Sequence, residues 1–379
     1  MSHCHFLGTL LEIEAPIGRY KEAVYAKRPT QGNISVHWSS VQNRHLRDTL
    51  TVIFWNVENF FDWRSDSTTV SDGEFSPEGE RHWTWKRFQA KANAFAKALF
   101  WVEGEIGRLP DIVGLEEVEN AFVLRQVLQK TALRKTDYKY VHYDSPDRRG
   151  IDVALLYRSS RLELLESRPC HLYAADTVMT TRDILLCVFR RTASVMPDPD
   201  RASSVIGKIP GQAGNDGVFA VLVNHHPSKY GGAAESEPQR RISVERLRFL
   251  ADSLVAVGID RIIAGGDFND TPDNPVFRIL EPALIPLHMD FFRRGFGTIK
   301  YDGKWELIDH IYVSSSWDGV SSLSPTGHEP TMRILRIPFL LTRDTVHSGE
   351  KPLRTYTGPR HTGGVSDHLP VLLEIVWPP

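Results

Sequence analysis

Apolar residues recur in this sequence at two spacings, one typical of strands and one typical of helices. From Leu50 to Trp55 every residue is apolar or β-branched, which predicts a buried strand. Between Thr84 and Ile106 the apolar residues are instead three or four positions apart, as on one face of a helix. They are Phe88, Ala92, Phe95, Leu99 and Val102. Gly107 and Pro110 then end this predicted helix.

The same two patterns continue to the end of the chain. Further strands are predicted at Asp111–Leu115, Tyr138–Tyr143, Ile151–Tyr157, Ile184–Phe189, Val218–Asn224, Arg261–Ala264, Glu306–Val313 and Leu369–Val376. Further helices are predicted at Glu119–Thr131, at Pro275–Leu280, and from Pro238, which opens a helix, to Gly258, which closes it. Residues 194–216 are rich in proline and glycine, so they are predicted to be a long loop.

The order of these elements indicates the fold class. Strands and helices alternate first, strands then dominate, and one more long helix precedes the last strands. Such an order fits an α+β protein in which two β-sheets pack on each other and the helices lie outside them. The first 49 residues show no clear period, so we expect residues 1–49 to be an N-terminal extension of the folded domain.

Composition narrows the class of protein without identifying a function. The 379 residues carry 45 Lys and Arg against 47 Asp and Glu, so no broad basic surface for duplex DNA is expected. Three cysteines are too few for a disulfide framework. No apolar run approaches the ~18 residues of a membrane helix, and the start of the chain lacks the regions of a secretory signal. We therefore expect a cytoplasmic protein without a transmembrane segment, and nothing implies a protein partner.

Polar residues able to bind a metal ion or a phosphate stand at the ends of several predicted strands. The segments are Trp55-Asn56-Val57-Glu58-Asn59, Gly114-Leu115-Glu116-Glu117-Val118, Val223-Asn224-His225-His226, Gly265-Gly266-Asp267-Phe268-Asn269-Asp270 and Val365-Ser366-Asp367-His368-Leu369. Strand ends that share one sheet edge are where such sheets bind ligands, so the five segments could converge. Each one alone is also typical of an ordinary turn, cap or loop. Their joint occurrence favours an active site.

Metal-assisted attack of water on a phosphate ester is the chemistry that uses this set of side chains. Mg²⁺ prefers oxygen ligands and keeps waters for the substrate, which suits Glu117 with Asn56 nearby. Asp267 would activate the attacking water and Asn269 would orient it. Histidines 225 and 368 would neutralise charge on the phosphate. A histidine in this role needs a carboxylate partner, and Asp309, in an apolar segment where an unpaired charge is costly, is the candidate partner of His368.

These segments, in this order, resemble the endonuclease/exonuclease/phosphatase superfamily, whose members are deoxyribonuclease-I-like. The resemblance covers about residues 50–379, and it also includes Asp111-Ile-Val-Gly-Leu-Glu-Glu-Val118, Ile308-Asp309-His-Ile-Tyr-Val-Ser314 and Ser366-Asp367-His368-Leu-Pro-Val371. The motifs Arg149-Gly-Ile-Asp-Val-Ala-Leu-Leu-Tyr157, Thr181-Arg182-Asp-Ile-Leu185 and Trp305-Glu-Leu-Ile-Asp309 resemble a bacterial branch of that superfamily most closely.

The resemblance implies a four-layer αββα sandwich of two mixed sheets over residues 50–379, and a phosphoesterase that uses Mg²⁺ or Mn²⁺. It makes Glu117 the principal metal ligand, with Asn56 and Asp367 completing the site. It assigns the activation of water to Asp267 beside Asn269, phosphate stabilisation to His225, and a pair to Asp309 and His368. It also favours Glu117 over Glu116, because Glu117 precedes Val118, and His225 over His226, because His225 follows Asn224.

Arginines near these motifs could bind further phosphates, since guanidinium groups form paired hydrogen bonds with them. Arg149 is the best of these candidates and Arg354 is another, although an isolated arginine is more often an ordinary surface charge.

The leading hypothesis is a phosphodiesterase that acts on nucleic acid. A phosphatase or phosphodiesterase for a small phosphorylated metabolite or lipid headgroup is the alternative, and the near-neutral net charge leans mildly toward it. A catalytically inactive binding module ranks low because it has no use for clustered carboxylates. A metal-free ribonuclease mechanism also ranks low because it leaves Glu117 and Asp267 without a role.

Overall fold

The computed structural model of the protein describes residues 49–64, 71, 73–192, 217–229, 232–317 and 330–377. The predicted N-terminal extension, apart from its last residue, and the predicted loop 194–216 lie outside these ranges. Within them, no helix has both the length and the apolar character that are needed to cross a membrane.

Two six-stranded sheets form the centre of the described part of the chain. Numbered in chain order, their strands are β1 Thr49–Phe60, β2 Ile112–Val118, β3 Tyr138–His142, β4 Asp152–Arg158, β5 Leu162–Cys170, β6 Ile184–Arg191, β7 Val218–His225, β8 Ile262–Asp267, β9 Ile285–Pro286, β10 Asp309–Val313, β11 Thr331–Ile334 and β12 Val371–Val376. Sheet 1 has the order β11-β12-β1-β2-β4-β3, and sheet 2 has the order β9-β10-β8-β7-β6-β5. Both sheets are mixed, because β1 is parallel to β2 and β7 is parallel to β8, while the other neighbours are antiparallel.

Helices lie outside the two sheets. They are α1 Trp85–Ile106, α2 Ala121–Lys130, α3 Ala233–Ala256 and the short α4 Met289–Arg293, with 3-10 helices at Ala132–Lys135, Pro275–Leu280 and Pro338–Leu340. Short strand pairs join Tyr173–Ala174 to Thr177–Val178, Ile299–Tyr301 to Lys304–Glu306, Leu341–Arg343 to Glu350–Pro352, and Tyr356–Thr357 to Arg360–His361.

Three apolar cores separate four layers. The helices α1 and α2 pack on the outer face of sheet 1, where Phe95 stacks on Trp55 with ring centroids 5.5 Å apart. The inner faces of the two sheets form the second core, around Phe54. The helix α3 packs on the outer face of sheet 2, with Leu247 and Leu250 in the third core. The predicted four-layer αββα sandwich of two mixed sheets is confirmed.

The first helix follows its predicted pattern closely. The side chain of Thr84 accepts a hydrogen bond from the backbone N–H of Arg87 and caps the start of α1. Gly107 ends the helix in the left-handed conformation, at a φ of 78° that glycine adopts without strain. The predicted apolar residues are buried, and so is one residue that the pattern did not include, Lys91.

Two predicted elements differ from the structure. The helix predicted from Pro238 begins at Ala233, so Pro238 lies inside α3; proline marks a helix start because its fixed φ suits the first turns, but the helix can begin before it. The strand predicted at Glu306–Val313 is divided, because Lys304–Glu306 pairs in a hairpin and β10 begins at Asp309.

Three strands of the two sheets were not predicted. The strands β5, β9 and β11 are edge strands, in which at least one side is accessible to solvent, so their sequences lack a continuous apolar run.

Two consecutive glycines bring the sheets into close contact beneath the strand ends. A Cβ atom on Gly265 would lie 2.4 Å from the ring of Phe54, which occupies the space between the sheets. Gly266 has a φ of 127°, and a Cβ atom there would lie 2.1 Å from the carbonyl oxygen of Asn224. The glycines before Asp267 therefore allow a close approach of backbone and side chains at the base of the site.

Candidate active site

The predicted site residues meet at one edge of the sandwich. In sheet 2, the register pairs Asp267 with His225 on one side and with Asp309 on the other. In sheet 1, the register pairs Asn56 with Glu116, and Glu117 is the next residue along β2. Because β1 is parallel to β2 and β7 is parallel to β8, the four strands bring their carboxyl ends to the same edge. Five distant segments therefore form one cleft.

The amide of Asn56 joins the two sheets across this cleft. Its nitrogen donates to Asp267 Oδ2 at 3.0 Å and to Glu117 Oε1 at 3.4 Å. Its oxygen accepts a hydrogen bond from the backbone N–H of Glu58 at 2.9 Å, which fixes the orientation of the amide. Asn56 thus holds the carboxylates of Glu117 and Asp267 close to each other.

A break in the strand register turns Glu117 into the cleft. The register of β2 shifts between Glu116 and Val118, and Glu117 has a φ of 65°. This left-handed conformation is unusual for a glutamate and is typical of functional positions. The carboxylate accepts a hydrogen bond from the backbone N–H of Asn59 at 2.8 Å and is partly accessible to solvent.

The neighbouring Glu116 points between the sheets and is fully buried. Neither of its carboxyl oxygens has a hydrogen-bond partner among the described residues. Burial raises the pKa of Glu116 well above its usual value, and the carboxylates of Asp309 and Asp267 raise it further. The fold thus disfavours the charged form of Glu116, which lies at the base of the site.

We expect Glu116→Gln to be more stable than the wild type in metal-free buffer at alkaline pH. The pKa of Glu116 is raised in the folded state, so wild-type stability falls as the pH rises above the unfolded value of about 4.5. The free energy of unfolding of the wild type falls by up to about 1.4 kcal/mol per pH unit until the pH reaches the pKa of Glu116 in the folded state. Urea unfolding in EDTA at pH 5 and pH 8 measures the difference, with the exposed Glu105→Gln as a control. If the free energy of unfolding of Glu116→Gln exceeds that of the wild type by no more at pH 8 than at pH 5, the explanation is wrong.

Asp267 is buried and receives several hydrogen bonds. Its Oδ1 accepts from the backbone N–H of Asn269 at 2.8 Å, and its Oδ2 accepts from the side-chain amides of Asn269 and Asn56. Burial raises the pKa of Asp267 to about 7, and the charge of Asp309 adds to this effect while His368 and the hydrogen bonds oppose it. A carboxylate with a pKa near neutral is suited to accept a proton from water.

The two adjacent histidines at the end of β7 point in opposite directions, as neighbours in a strand do. His225 faces the cleft, with Nε2 3.6 Å from Asp267 Oδ2 and 3.9 Å from Glu117 Oε1. His226 packs against Phe268 in the core, with ring centroids 4.5 Å apart. Burial lowers the pKa of His225 well below its usual value, and Arg182 and Arg149 lower it further. His225 is thus a neutral imidazole, which can still donate one hydrogen bond.

His368 and Asp309 form a buried pair on the other side of Asp267. His368 Nδ1 lies 2.9 Å from Asp309 Oδ2, and its Nε2 lies 3.9 Å from Asp267 Oδ2. Burial by itself lowers the pKa of His368, but the carboxylates of Asp309 and Asp267 outweigh it and hold the pKa well above its usual value. His368 is therefore a cation, in contrast to His225. The hydroxyl of Ser366 supports it by accepting from its backbone N–H and donating to the carbonyl of Asn56.

The two predicted phosphate-binding arginines lie at the rim and are about half exposed. Arg149 donates to the side-chain oxygen of Asn59 at 2.6 Å and lies 3.8 Å from Glu117. Arg354 bridges two carboxylates, with Nη2 2.9 Å from Glu58 Oε1 and 3.0 Å from Asp367 Oδ2. Both guanidinium groups thus contact the acidic cluster and leave a face open to solvent.

Sequence reasoning missed two ionisable residues beside the site, Glu58 and Lys91. Burial and the charge of Asp367 raise the pKa of Glu58 to about 7, against the effects of Arg354 and Lys91. Glu58 stood within a motif but was not given a role. The burial of Lys91 could have been predicted from the sequence, because Lys91 lies three residues after Phe88 and four before Phe95, on the apolar face of α1.

The donor set suits a hard divalent cation. The carboxylates of Glu117, Asp267, Asp309 and Asp367 surround one cleft, and one ligand atom from each of Asp267, Asp309 and His368 lies within 4.8 Å of the other two. Oxygen donors and excess negative charge are what Mg²⁺ and Mn²⁺ prefer.

Comparison with known proteins places this site in context. Residues 51–194 and 198–376 match the sequence profile described as "Endonuclease/Exonuclease/phosphatase family". No curated protein matched the sequence.

Several solved structures share the fold at low sequence identity. The mannosyl-6-phosphatase of Bacteroides thetaiotaomicron is 16% identical over 86% of this chain and 100% of its own, with a TM-score of 0.50. Truncated TDP2 of Caenorhabditis elegans is 13% identical over 86% of this chain and 98% of its own, also at 0.50. The human nocturnin catalytic domain is 16% identical over 88% of this chain and 94% of its own, at 0.49.

Proposed function

The chain belongs to the endonuclease/exonuclease/phosphatase family, and we propose that this phosphate-ester-hydrolysing enzyme is a divalent-metal-dependent phosphodiesterase that acts on nucleic acid. One observation carries the proposal. The amide of Asn56 donates to the carboxylates of both Glu117 and Asp267, and Asp267 lies within 4 Å of the neutral His225 and the cationic His368. This arrangement combines oxygen ligands for a metal ion, a base and two phosphate-facing donors in one cleft.

We assign the metal site to Glu117, with Asp367 and Asn56 as further ligands. Glu117 is the acid that the register shift in β2 turns into the cleft, and Asp367, in the segment before β12, has Oδ1 4.0 Å from Nε2 of His368. The bound Mg²⁺ or Mn²⁺ would offset charge on the phosphate and polarise its oxygens. We do not include Glu116 in this set, because it is fully buried between the sheets.

We assign the activation of water to Asp267. Its carboxylate would accept a proton as the water oxygen attacks phosphorus in line with the leaving oxygen, and the leaving alcohol would take a proton from solvent. Asn269 donates from both its backbone and its side chain to Asp267, and its side chain also donates to the carbonyl of His226 at 2.9 Å. These bonds fix the position of the base, which is a condition for efficient proton transfer.

We assign stabilisation of the phosphate to the two histidines. The imidazolium of His368, oriented by Asp309, would donate through Nε2 to a phosphate oxygen. His225, which is neutral, would donate a single hydrogen bond from the opposite side of Asp267. Donors that are already in place when negative charge develops lower the energy of the transition state.

A nucleic acid is the preferred substrate class because two arginines flank the metal site. Arg149 lies beside Asn59 and 3.8 Å from Glu117, Arg354 lies beside Asp367, and each side chain is about half exposed. A chain of phosphates passing through the cleft would meet both cations.

A small phosphorylated metabolite or lipid headgroup is the second candidate. The rim cations are largely neutralised, because Arg354 contacts two carboxylates and Lys229 lies 2.7 Å from Asp270. The net charge of the chain is only −2 with no basic excess. Both facts suit a substrate with one phosphate better than a long polyanion.

The test is hydrolysis of a bis-aryl phosphate diester and of an aryl phosphate monoester, each with Mg²⁺, Mn²⁺ or EDTA, together with plasmid nicking. We expect metal-dependent cleavage of the diester and nicking of the plasmid. Glu117→Gln should need a higher metal concentration for the same rate, because an amide is a weaker ligand than a carboxylate.

Each alternative outcome has a defined meaning. Monoester hydrolysis without nicking would move the assignment to small phosphorylated molecules. Full activity in EDTA would refute the metal-dependent mechanism. A rate of Glu117→Gln that does not respond to added metal would show that Glu117 is not the principal ligand.

A further inference from the structure

A lysine lies buried directly behind the proposed metal site. Lys91 is 2% exposed, in the second turn of α1, on the helix face that packs against sheet 1. Its ammonium donates to the carbonyl oxygen of Glu58 and, at 2.8 Å, to the hydroxyl of Thr355. The rings of Phe60 and Trp83 lie 5.2 Å and 6.0 Å from Nζ. The ammonium is thus shielded from water and touches no position where a substrate could bind.

Burying an ammonium group costs free energy, because the charge must be removed from water. Burial lowers the pKa of Lys91 to about 8, while the carboxylates of Glu58, Glu117 and Asp367 act in the opposite direction. An apolar residue of the same length would fill this position in the core without the cost of removing a charge from water. The charge of Lys91 is therefore close enough to interact with all three of these carboxylates.

The contacts of Lys91 link three segments that carry site residues. The Glu58 carbonyl belongs to the irregular end of β1, where Glu58 and Asn59 form a local turn within the strand and the register shifts after Asn56. Thr355 follows the rim residue Arg354, and its backbone N–H donates to the carboxylate of Glu58 at 2.8 Å. The hydroxyl of Thr355 donates in turn to the carbonyl of Val365, two residues before Asp367, at 3.1 Å. One ammonium therefore joins the Asn56, Arg354 and Asp367 segments.

The turn that Lys91 contacts also controls Glu117. Glu58 and Asn59 both have left-handed backbone conformations, with φ of 46° and 51°. Such conformations persist only where neighbouring groups hold them. They point the backbone N–H of Asn59 at Glu117 Oε2. Loss of the bond from Lys91 to the Glu58 carbonyl would free this turn and, with it, the orientation of the Glu117 carboxylate.

We propose that Lys91 is a positioning residue for the metal site, which sets the geometry of Glu117 and Asp367 through the Glu58–Asn59 turn and the Thr355 hydroxyl. This inference rests on the proposed function. Lys91 contacts neither the metal ion nor the substrate in this proposal; it orders the segments that carry the ligands. Groups that hold metal ligands in this way affect metal affinity strongly.

The decisive measurement is the affinity of the intact protein for Mn²⁺ alone, by isothermal titration calorimetry. We expect Lys91→Met to bind Mn²⁺ on the order of 10-fold more weakly than the wild type. Its turnover of the bis-aryl diester should fall at limiting Mg²⁺ and recover as Mg²⁺ is raised. Lys97→Met, an exposed position on the same helix, is the matched control and should behave as the wild type. A merely structural lysine would lower the melting temperature without changing Mn²⁺ affinity.

Thr355 provides an independent pair of variants. Thr355→Val removes the hydroxyl and keeps the side-chain volume, whereas Thr355→Ser keeps the hydroxyl. We expect weaker Mn²⁺ binding for Thr355→Val and near-normal binding for Thr355→Ser. If Lys91→Met does not fold, this pair decides the question.

Wild-type Mn²⁺ affinity in folded Lys91→Met, or equal affinities in the two Thr355 variants, would overturn the inference and leave the proposed function intact. A wild-type protein that neither binds Mn²⁺ nor hydrolyses either aryl ester would overturn both.

Discussion

Replacing Asp267 by asparagine should lower kcat for the diester by about 10²–10⁴-fold, the range typical of a lost general base. The amide cannot accept a proton from water, although it has the shape of the carboxylate. Its NH₂ group would also face the donating amides of Asn56 and Asn269. The variant no longer buries a carboxylate, which offsets these lost hydrogen bonds, so we expect little net loss of stability.

The measurement is steady-state kinetics at saturating Mg²⁺, with circular dichroism to confirm the fold. Asp260→Asn is a suitable control, because Asp260 is exposed and lies just before the opposite end of the same strand, β8. A kcat for Asp267→Asn within 10-fold of the wild type would exclude Asp267 as the base.

Asp309→Asn should lower kcat by about 10²-fold or more, because Asp309 supports the imidazolium of His368. The carboxylate holds the imidazole by a 2.9 Å contact at Nδ1 and keeps it protonated. An asparagine side chain can accept the same hydrogen bond but does not stabilise the cation. The variant would therefore present a neutral ring to the phosphate.

A double-mutant cycle tests whether the two residues act as a unit. The losses in Asp309→Asn and His368→Gln should be strongly non-additive, so that the double variant is little slower than His368→Gln alone. Additive losses would show that Asp309 acts independently of His368 and would refute the pairing.

The class of fold was predictable because it depends on local patterns. The spacing of Phe88, Ala92, Phe95 and Leu99 is enough to indicate a helix that packs by one face, and the structure has that helix at Trp85–Ile106. The edge strand β5 was missed because many of its residues are accessible to solvent, so its sequence contains no continuous apolar run. Pro238 was read as a helix start because proline favours that position, yet α3 begins at Ala233.

The candidate site was predictable as a set of residue types but not as a geometry. Carboxylates, amides and histidines at the ends of strands suggested metal-assisted phosphate chemistry, and the parallel pairs β1–β2 and β7–β8 bring those ends together. The choice of Glu117 rather than Glu116 as the metal ligand depended on a family resemblance. In the structure, a register shift in β2 turns Glu117 into the cleft and leaves Glu116 between the sheets.

By itself, then, the sequence determined the fold class and the side chains from which the site is built, because periodicity and side-chain chemistry are properties of short segments. Only the tertiary structure decided the charge states and the supporting contacts. It raises the pKa of Glu116, keeps His225 neutral and His368 charged, and brings Lys91 to Glu58 and Thr355. Burial and distances between residues hundreds of positions apart set these properties, and both arise only when the sheets and α1 pack together.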